Sequence, residues 1–466
     1  MGLSAAMEIG KNGLNIYRVA SEVTGENIAN VNTPGYSRQR VILETAPPTY
    51  ASGFPVGTGV NIASIERYYD GLLQQQITNA QTTQGFDTTK STVLQQVEPA
   101  FNEITNDGLG AAISGFFGSW HDMTLNPAGS SERQAVLSRA QILADNFQTA
   151  SKSLNNTITI QNDTLVPLTK DINATLSNIA QLNGQIKTTE LVSGNANEIR
   201  DRRDQLVRDI SVQIGITYKE NSDGTTDINY SDGGAALVVG SEAGSFSLTI
   251  NSASGLNDVN VAAPGGVATL VTPKTGKLGA TLALRDTIIP GYLNQVNALA
   301  TTIATQVNTQ HKLGFDVTGA AGLDFFDPST SNAATFNINP ALTSTDQLAA
   351  SSNPLLIGDN SNVLKLAQIQ NTKTMPPPPA TPNASFSSYF GSLVSQVGLD
   401  VLSSKNTVAQ DEAFTKQLTT LRESNSGVSL DEELTNLVKY QRSYQASAKL
   451  VSTVTEMMDM VLGLIR

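Results

Sequence analysis

Residues 430–465 read LDEELTNLVKYQRSYQASAKLVSTVTEMMDMVLGLI, and their spacing decides the architecture. Apolar or small residues recur every three or four positions: Leu430, Leu434, Leu437, Tyr444, Ala448, Val451, Met458, Leu462 and Ile465. Gln441 and Thr455 are slips on the same stripe. A period near 3.5 sustained over several heptads predicts a long helix with coiled-coil packing. At 1.5 Å per residue it would span roughly 54 Å. The other end of the chain carries a matching stripe of Leu3, Met7, Gly10, Leu14, Tyr17, Ser21, Ile28 and Val31. An amphipathic helix on an ordinary core has the same spacing, so both readings stand on periodicity alone. Gly10, Gly13 and Gly25 each cost the first helix about 0.5–1 kcal/mol relative to alanine. No other segment offers an apolar face of this length. Both terminal segments are therefore expected to be disordered in the free chain and helical on assembly.

The first helix stops at Asn27-Ile28-Ala29-Asn30-Val31-Asn32-Thr33-Pro34-Gly35-Tyr36. Proline removes a backbone donor and pushes Thr33 to extended geometry. Pro34-Gly35 reads as a type II turn with Gly35 at positive φ, and Ser37–Leu43 then runs extended. Further helices are expected at about 66–84, 90–105, 136–186, 197–211, 278–312 and 386–422, with Pro167 kinking or breaking the third. Residues 214–275 change character. Six short β-prone runs, separated by Asp223-Gly224 and Asp232-Gly233 hairpin signals, mark a small inserted β domain. Residues 314–382 are loop-rich, with a polyproline II connector at Pro376–Pro379.

The fold class is therefore mainly α with an inserted small β domain: a terminal coiled-coil helix pair, an elongated helical rod and a β-rich outer domain. The terminal pair takes residues 1–45 and 425–466. The rod takes 46–213 and 276–424, and the insertion takes 214–275.

Composition narrows the function. Charged residues make up 15% and hydrophobic ones 39%, both below the usual ~25% and ~45–50%. A polar, weakly charged surface suits subunits that pack side by side, because few ions must be stripped of water. A net charge of −12 argues against nucleic acid as a partner. No apolar run reaches the ~18–20 residues of a membrane span, so no membrane insertion is expected. The N-terminus shows no cleavable secretory signal. The absence of cysteine excludes disulfides, thiolate metal sites and cysteine nucleophiles.

A search for chemistry finds no catalytic, cofactor or metal site. His121 and His311 are isolated from each other and from any ligand spacing. Asp227, Asn229 and Asp232 fail the calcium-loop pattern. Glu198–Arg202 and Asp204–Arg208 are i,i+4 pairs in the favourable order, which reads as a solvated salt-bridged helix or a subunit contact. Trp120 beside Phe116 and Phe117 reads as core.

Two segments carry a resemblance. Asn27–Tyr36, with Asn30, Asn32, Thr33, Pro34, Gly35 and Tyr36 as its turn, resembles the N-terminal signature of flagellar rod, hook and hook-associated proteins. Leu430 to Gln441, continuing to Tyr444-Gln445-Ala446, is similar to their C-terminal signature. Arg202–Leu206 with Ile214–Ile216, Leu284–Leu293 and Asn308–Gly314 resemble the hook-associated members. The resemblance implies a structural adaptor, exported unfolded by the flagellar type III apparatus, that assembles at the hook tip and joins hook to filament in the extracellular flagellum. Its partners would be further copies of itself in a ring or helical layer, the hook protein, hook-associated protein 3 and a cytoplasmic export chaperone at the C-terminal region. The assembly interface would comprise Leu3, Met7, Leu14, Tyr17, Ile28, Leu430, Leu434, Leu437, Tyr444, Val451, Met458, Leu462 and Ile465. The rivals are another axial protein (hook or distal rod) and a cell-wall hydrolase. A β-dominated middle would favour the first and a buried carboxylate pair in a cleft the second.

Overall fold

The structure is a computed structural model and describes residues 2–51, 54–101, 108–356, 358–377 and 380–464. Ile465, Pro378 and Pro379, named above, lie outside these residues, as do 102–105 of the expected helix 90–105. Helix α1 (Gly2–Ala29) leads into strands β1 (Gln39–Thr45), β2 (Thr49–Ala51), β3 (Phe54–Val56) and β4 (Val60–Arg67). β1 pairs antiparallel with β4, and β2 with β3. The sequence pattern marks only Ser37–Leu43 as extended here. Helices α2 (Gly71–Val97), α3 (Leu109–Met123), α4 (Ser130–Ser193) and α5 (Asn197–Gln213) follow. The expected helices at 66–84 and 90–105 are thus corrected. Residues 60–67 are strand, and one helix runs through Gly85, whose missing side chain admits the Val212 carbonyl. Helix α4 runs unbroken through Pro167. Pro167 is exposed, so water can take up the carbonyl left without its donor.

The inserted strands are β5 (Ile216–Glu220), β6 (Thr226–Tyr230), β7 (Ala236–Val239), β8 (Glu242–Ala243), β9 (Ser245–Ile250), β10 (Asn257–Ala262) and β11 (Thr269–Leu270). They form a four-stranded sheet, β5-β6-β7-β8, and a three-stranded one, β11-β10-β9. Gly224, in the first Asp-Gly signal, and Gly234, directly after the second, take positive φ. Asp232 Oδ2 accepts from the backbone of Lys274 and Thr275, and Gly276 packs on Gln213 and Ile214. The two ends of the insertion therefore lie together.

The chain continues through α6 (Gly276–Ala283), a π-helical turn at Leu284–Ile288, α7 (Ile289–His311), α8 (Ser361–Gln368), α9 (Phe386–Ser426) and α10 (Leu430–Leu464). Pro290 has no N–H for the Asp286 carbonyl and its ring crowds it, which explains the widened turn just before.

Packing gathers the chain into two compact units. One holds Met1–Gly85, Leu168–Lys277 and Gln410–Arg466; the other holds Phe86–Pro167 and Leu278–Ala409. The second unit has a continuous aromatic core. Phe116, Phe117, Trp120, Phe325 and Phe326 are all buried. Trp120 and Phe325 rings lie 5.3 Å apart in an edge contact, and Phe117 stacks on Phe386 at 5.8 Å. His311 is wholly buried there, donating from Nδ1 to Leu323 O at 2.6 Å and accepting at Nε2 from Ala349 N at 2.9 Å. Burial lowers its pKa to about 4, so it is a neutral structural residue.

In the first unit α1 and α10 pack antiparallel. Asn27 meets Glu433, Tyr17 stacks with Tyr440 at 6.5 Å, and Gly13 and Gly10 face Ser447 and Val451. The premise that no other segment covers this apolar face is corrected: the N-terminal helix of the same chain packs on the C-terminal helix. Two glycines make this possible. A Cβ on Gly10 would lie 2.6 Å from Val451 Cγ2, and one on Gly13 would lie 2.6 Å from Ser447 Oγ. The helix propensity they forfeit is exchanged for close approach. Gly25 has nothing within 4 Å and keeps only the cost. Gly25→Ala should therefore stabilise the protein by about 0.5–1 kcal/mol in urea unfolding, whereas Gly13→Val should loosen the seam and raise amide exchange along both helices.

Candidate assembly site

The site begins where α1 hands over to β1. Pro34-Gly35 forms the expected type II turn, with Gly35 at φ 84° and Tyr36 N donating to Thr33 O at 3.2 Å. The turn sends the chain back past the last turn of α1, and Asn27 closes the loop. Asn27 is buried. Its Nδ2 donates to Gln39 O at 2.9 Å and to Glu433 Oε2 at 3.1 Å. Its Oδ1 accepts from Gln39 N and from the Tyr36 hydroxyl, both at 2.9 Å. Both donors and both acceptor positions of the amide are used.

Glu433, 2% exposed, is an ionisable group deep in the fold, and it is paired. Arg38 Nη2 reaches it at 2.7 Å, and Arg38 Nη1 binds Glu432 at 2.6 Å. Arg38 N donates to Ser426 O at 2.9 Å, and Arg422 Nη2 to Gly35 O at 2.8 Å. The segment that follows α1 is thus tied to the end of α9 and the start of α10.

Helix α5 supports the turn from the other side. Asp201 accepts from Ser37 N and Ser37 Oγ at 2.8 Å each, and from Arg67 Nη1 at 2.8 Å. Arg67 also meets Asp204 at 2.8 Å and lies 4.3 Å over the Tyr69 ring. Burial opposes the Arg67 charge, but Asp204 and Asp201 more than offset it, and its pKa stays above the ordinary value. Asn197 Nδ2 donates to Gln39 Oε1 at 3.0 Å. The reading of this helix as solvated and laced by i,i+4 pairs is corrected. Asp201, Arg203 and Arg208 are buried. The partners run across the fold: Arg200 to Glu190 and Glu220, Arg203 to Gly224 O, and Arg208 to Gln74.

Asn27 and Asn197 meet on Gln39, so their neighbours Glu26 and Glu198 are brought together. Burial, a hydrogen bond to Glu198 and its negative charge push the Glu26 carboxyl up to about 7. Beside them, Asn30, Thr33, Pro34, Gly35 and Tyr36 line a cavity of about 380 Å³ with residues of α5. Asn32, Thr33 and Pro34 are exposed.

The predicted interface residues divide. Leu3, Met7, Leu14, Tyr17, Ile28, Leu437, Val451 and Met458 are half-buried. Leu430, Leu434, Tyr444 and Leu462 remain 45%, 51%, 41% and 64% exposed. The inward face of α10 instead includes Glu433, Tyr440, Ser447 and the buried Val454. Sequence reasoning missed Asn27, Arg38, Gln39, Arg67, Asp201 and Glu433 as a group. The available signals were Asn27 at the head of the signature segment and Glu433 at the third place of an acidic first turn.

An antiparallel terminal helix pair locked by such a turn, with an exposed apolar stripe, is the arrangement expected of the axial assembly proteins that both termini resemble. The comparisons make this specific. Residues 94–326 match the family described as flagellar hook-associated protein FlgK helical domain. Residues 7–36 match the flagella basal body rod protein family, and 422–464 the flagellar basal body rod FlgEFG protein C-terminal family. The chain is 26% identical to flagellar hook-associated protein 1 of Bacillus subtilis, over 98% of this chain and 97% of that one. It is 25% identical to that of Escherichia coli, over 99% and 100%. The fold matches the flagellar hook junction protein FlgK from Burkholderia pseudomallei with a TM-score of 0.67 at 17% identity, covering 75% of this chain and all of that one. The chain belongs to the FlgK family of flagellar hook-associated proteins. It is a structural protein of the hook–filament junction in the extracellular flagellum and not an enzyme.

Two outcomes are expected. Asn27→Asp keeps the shape but loses both donors and places a carboxylate against Glu433. It should cost about 3 kcal/mol in urea unfolding, and adding Glu433→Gln should recover part of that loss. Glu26 holds its proton longer in the folded chain than in the unfolded one. Its contribution is therefore full below about pH 4.5 and is lost as pH rises through about 7. The urea midpoint of the parent should fall across that window relative to Glu26→Gln.

Proposed function

We propose that this protein is the adaptor layer itself, built from copies whose terminal helix pairs pack against one another. The observation that carries this is the outer face of α10, where Leu430, Leu434, Val438 and Tyr444 stay 41–51% exposed although the opposite face is sealed by α1. Among the described residues no helix is long and apolar enough to cross a membrane, so another protein surface is the natural cover for this stripe. Each leucine buried there would contribute about 1.5–3 kcal/mol. The segments 1–45 and 425–466 would form the inner, self-associating element, and 214–275 an outer decoration. The hook protein would meet the layer on one side and hook-associated protein 3 on the other, in a ring or helical arrangement. Before export by the type III apparatus, a cytoplasmic chaperone would cover the C-terminal stripe. The half-buried stripe residues of α1, Leu3, Met7, Leu14, Tyr17 and Ile28, would then act through the seam that holds the outer face in shape.

The test is Leu434→Asp. The side chain points outward, so the melting temperature and secretion of the monomer should stay within error of the parent. Junction assembly in cells lacking their own copy, read as filament growth, should be abolished. Leu437→Asp, at a half-buried position, should lower the melting temperature as well. Normal filaments with Leu434→Asp would reject the outer stripe as the interface.

A further inference from the structure

Among the described residues the methionines differ widely in exposure, with Met7 half-buried on α1. Met123 and Met375 are wholly buried. Three of the seven methionines instead stand within four residues near the end of α10, at Met457, Met458 and Met460. Met457 is 44% and Met460 64% exposed, and Met458 is half-buried. By helical spacing Met457 stands beside the exposed Leu450 and Val461, and Met460 beside Met457 and the exposed Glu456.

We propose that Met457 and Met460 are an oxidation site that switches off docking of the α10 end before the subunit is incorporated. This rests on the assembly reading above. The chemistry is oxygen transfer from a peroxide: the thioether sulfur attacks the peroxide oxygen, the O–O bond breaks, and methionine sulfoxide and water are formed. The sulfoxide is polar and a strong acceptor, and it stiffens a side chain whose value is adaptable apolar packing. A hydrated sulfoxide at the end of α10 must be stripped of water to dock. The inward α10 residues Tyr440, Val451 and Val454 carry no sulfur, and the half-buried Met7 and Met458 are less open to peroxide than Met457 and Met460, so the seam is the last part to be oxidised. The oxidised chain therefore stays folded and fails only at docking. Burial in the assembled layer would shield both residues, so the window is the free, exported subunit. A sulfoxide reductase would reverse the change.

The experiment exposes the purified full-length protein to dilute hydrogen peroxide and follows each methionine by peptide mass spectrometry. Met457 and Met460 should gain one oxygen at least tenfold faster than Met123 and Met375, with an unchanged far-ultraviolet circular dichroism spectrum. The oxidised protein should bind to hooks lacking their own junction layer at least tenfold more weakly. Treatment with methionine sulfoxide reductase should restore binding. A Met457→Leu/Met460→Leu variant given the same peroxide should bind like the untreated parent. Equal oxidation of buried and exposed methionines, or undiminished binding after oxidation, overturns the proposal. Failure of the untreated parent to bind hooks overturns the assembly reading on which it rests, and the proposal with it.

Discussion

A single side-chain amide, that of Asn27, holds the start and the end of this chain in register. One helix must end, reverse through Pro34-Gly35 and become strand β1, and a second helix must arrive beside it some 400 residues later in the chain. Each junction leaves polar backbone groups without secondary-structure partners. Asn27 satisfies the N–H and C=O of Gln39 at the first junction and ties it to the second through the Glu433 side-chain carboxylate. Aspartate would lack the donors, and serine would lack the reach to do both. Everything near it is arranged to keep that amide dry and saturated: Tyr36 fills its fourth position, and Arg38 neutralises the acid it binds.

The same device recurs. Asn173 pairs with both backbone groups of Phe246, Asn183 with those of Thr226, and Asn308 with those of Phe326. In each case a helix presents an amide that stands in for a neighbouring peptide unit against an extended segment. This explains how helices dock onto short strands and loops without leaving edge groups unpaired. It also gives a physical use for uncharged polar side chains in a sequence with only 15% charged residues.

Charge is handled by burial in matched groups. Arg67 sits buried between Asp201 and Asp204, whose two ion pairs offset its desolvation, while Arg38 joins the buried Glu433 to the exposed Glu432. Such groups contribute less to net stability than to uniqueness of register, because a shift of one helical position would strand a charge. Glu26 with Glu198 is the exception, two acids forced together by the geometry that Asn27 and Asn197 impose on Gln39. That pair makes the support of α1 sensitive to protons near neutrality.

Local chemistry determined much of this protein from sequence alone. Asp-Gly pairs and β-prone runs marked every strand of the insertion except the two-residue β8, and Pro34-Gly35 dictated its turn, because these residues restrict φ and ψ whatever surrounds them. The 3.5 period of 430–465 and the two terminal signatures likewise showed the long helices and the axial family. Tertiary structure decided what distance in space decides. Periodicity placed Leu430 and Leu437 on one stripe, but only the packed α1 shows Leu430 facing out and Tyr440, Ser447 and Val454 facing in. Gly10 and Gly13 look like defects until Val451 and Ser447 stand opposite them, while Gly25 has no such neighbour. The charges of α5 looked solvated because the residues that bury them, such as Arg67 and Gln74, are more than 100 positions away. A pattern along the chain records which residues prefer burial; the partner that buries them, and so the face left free for assembly, exists only once the two ends have met.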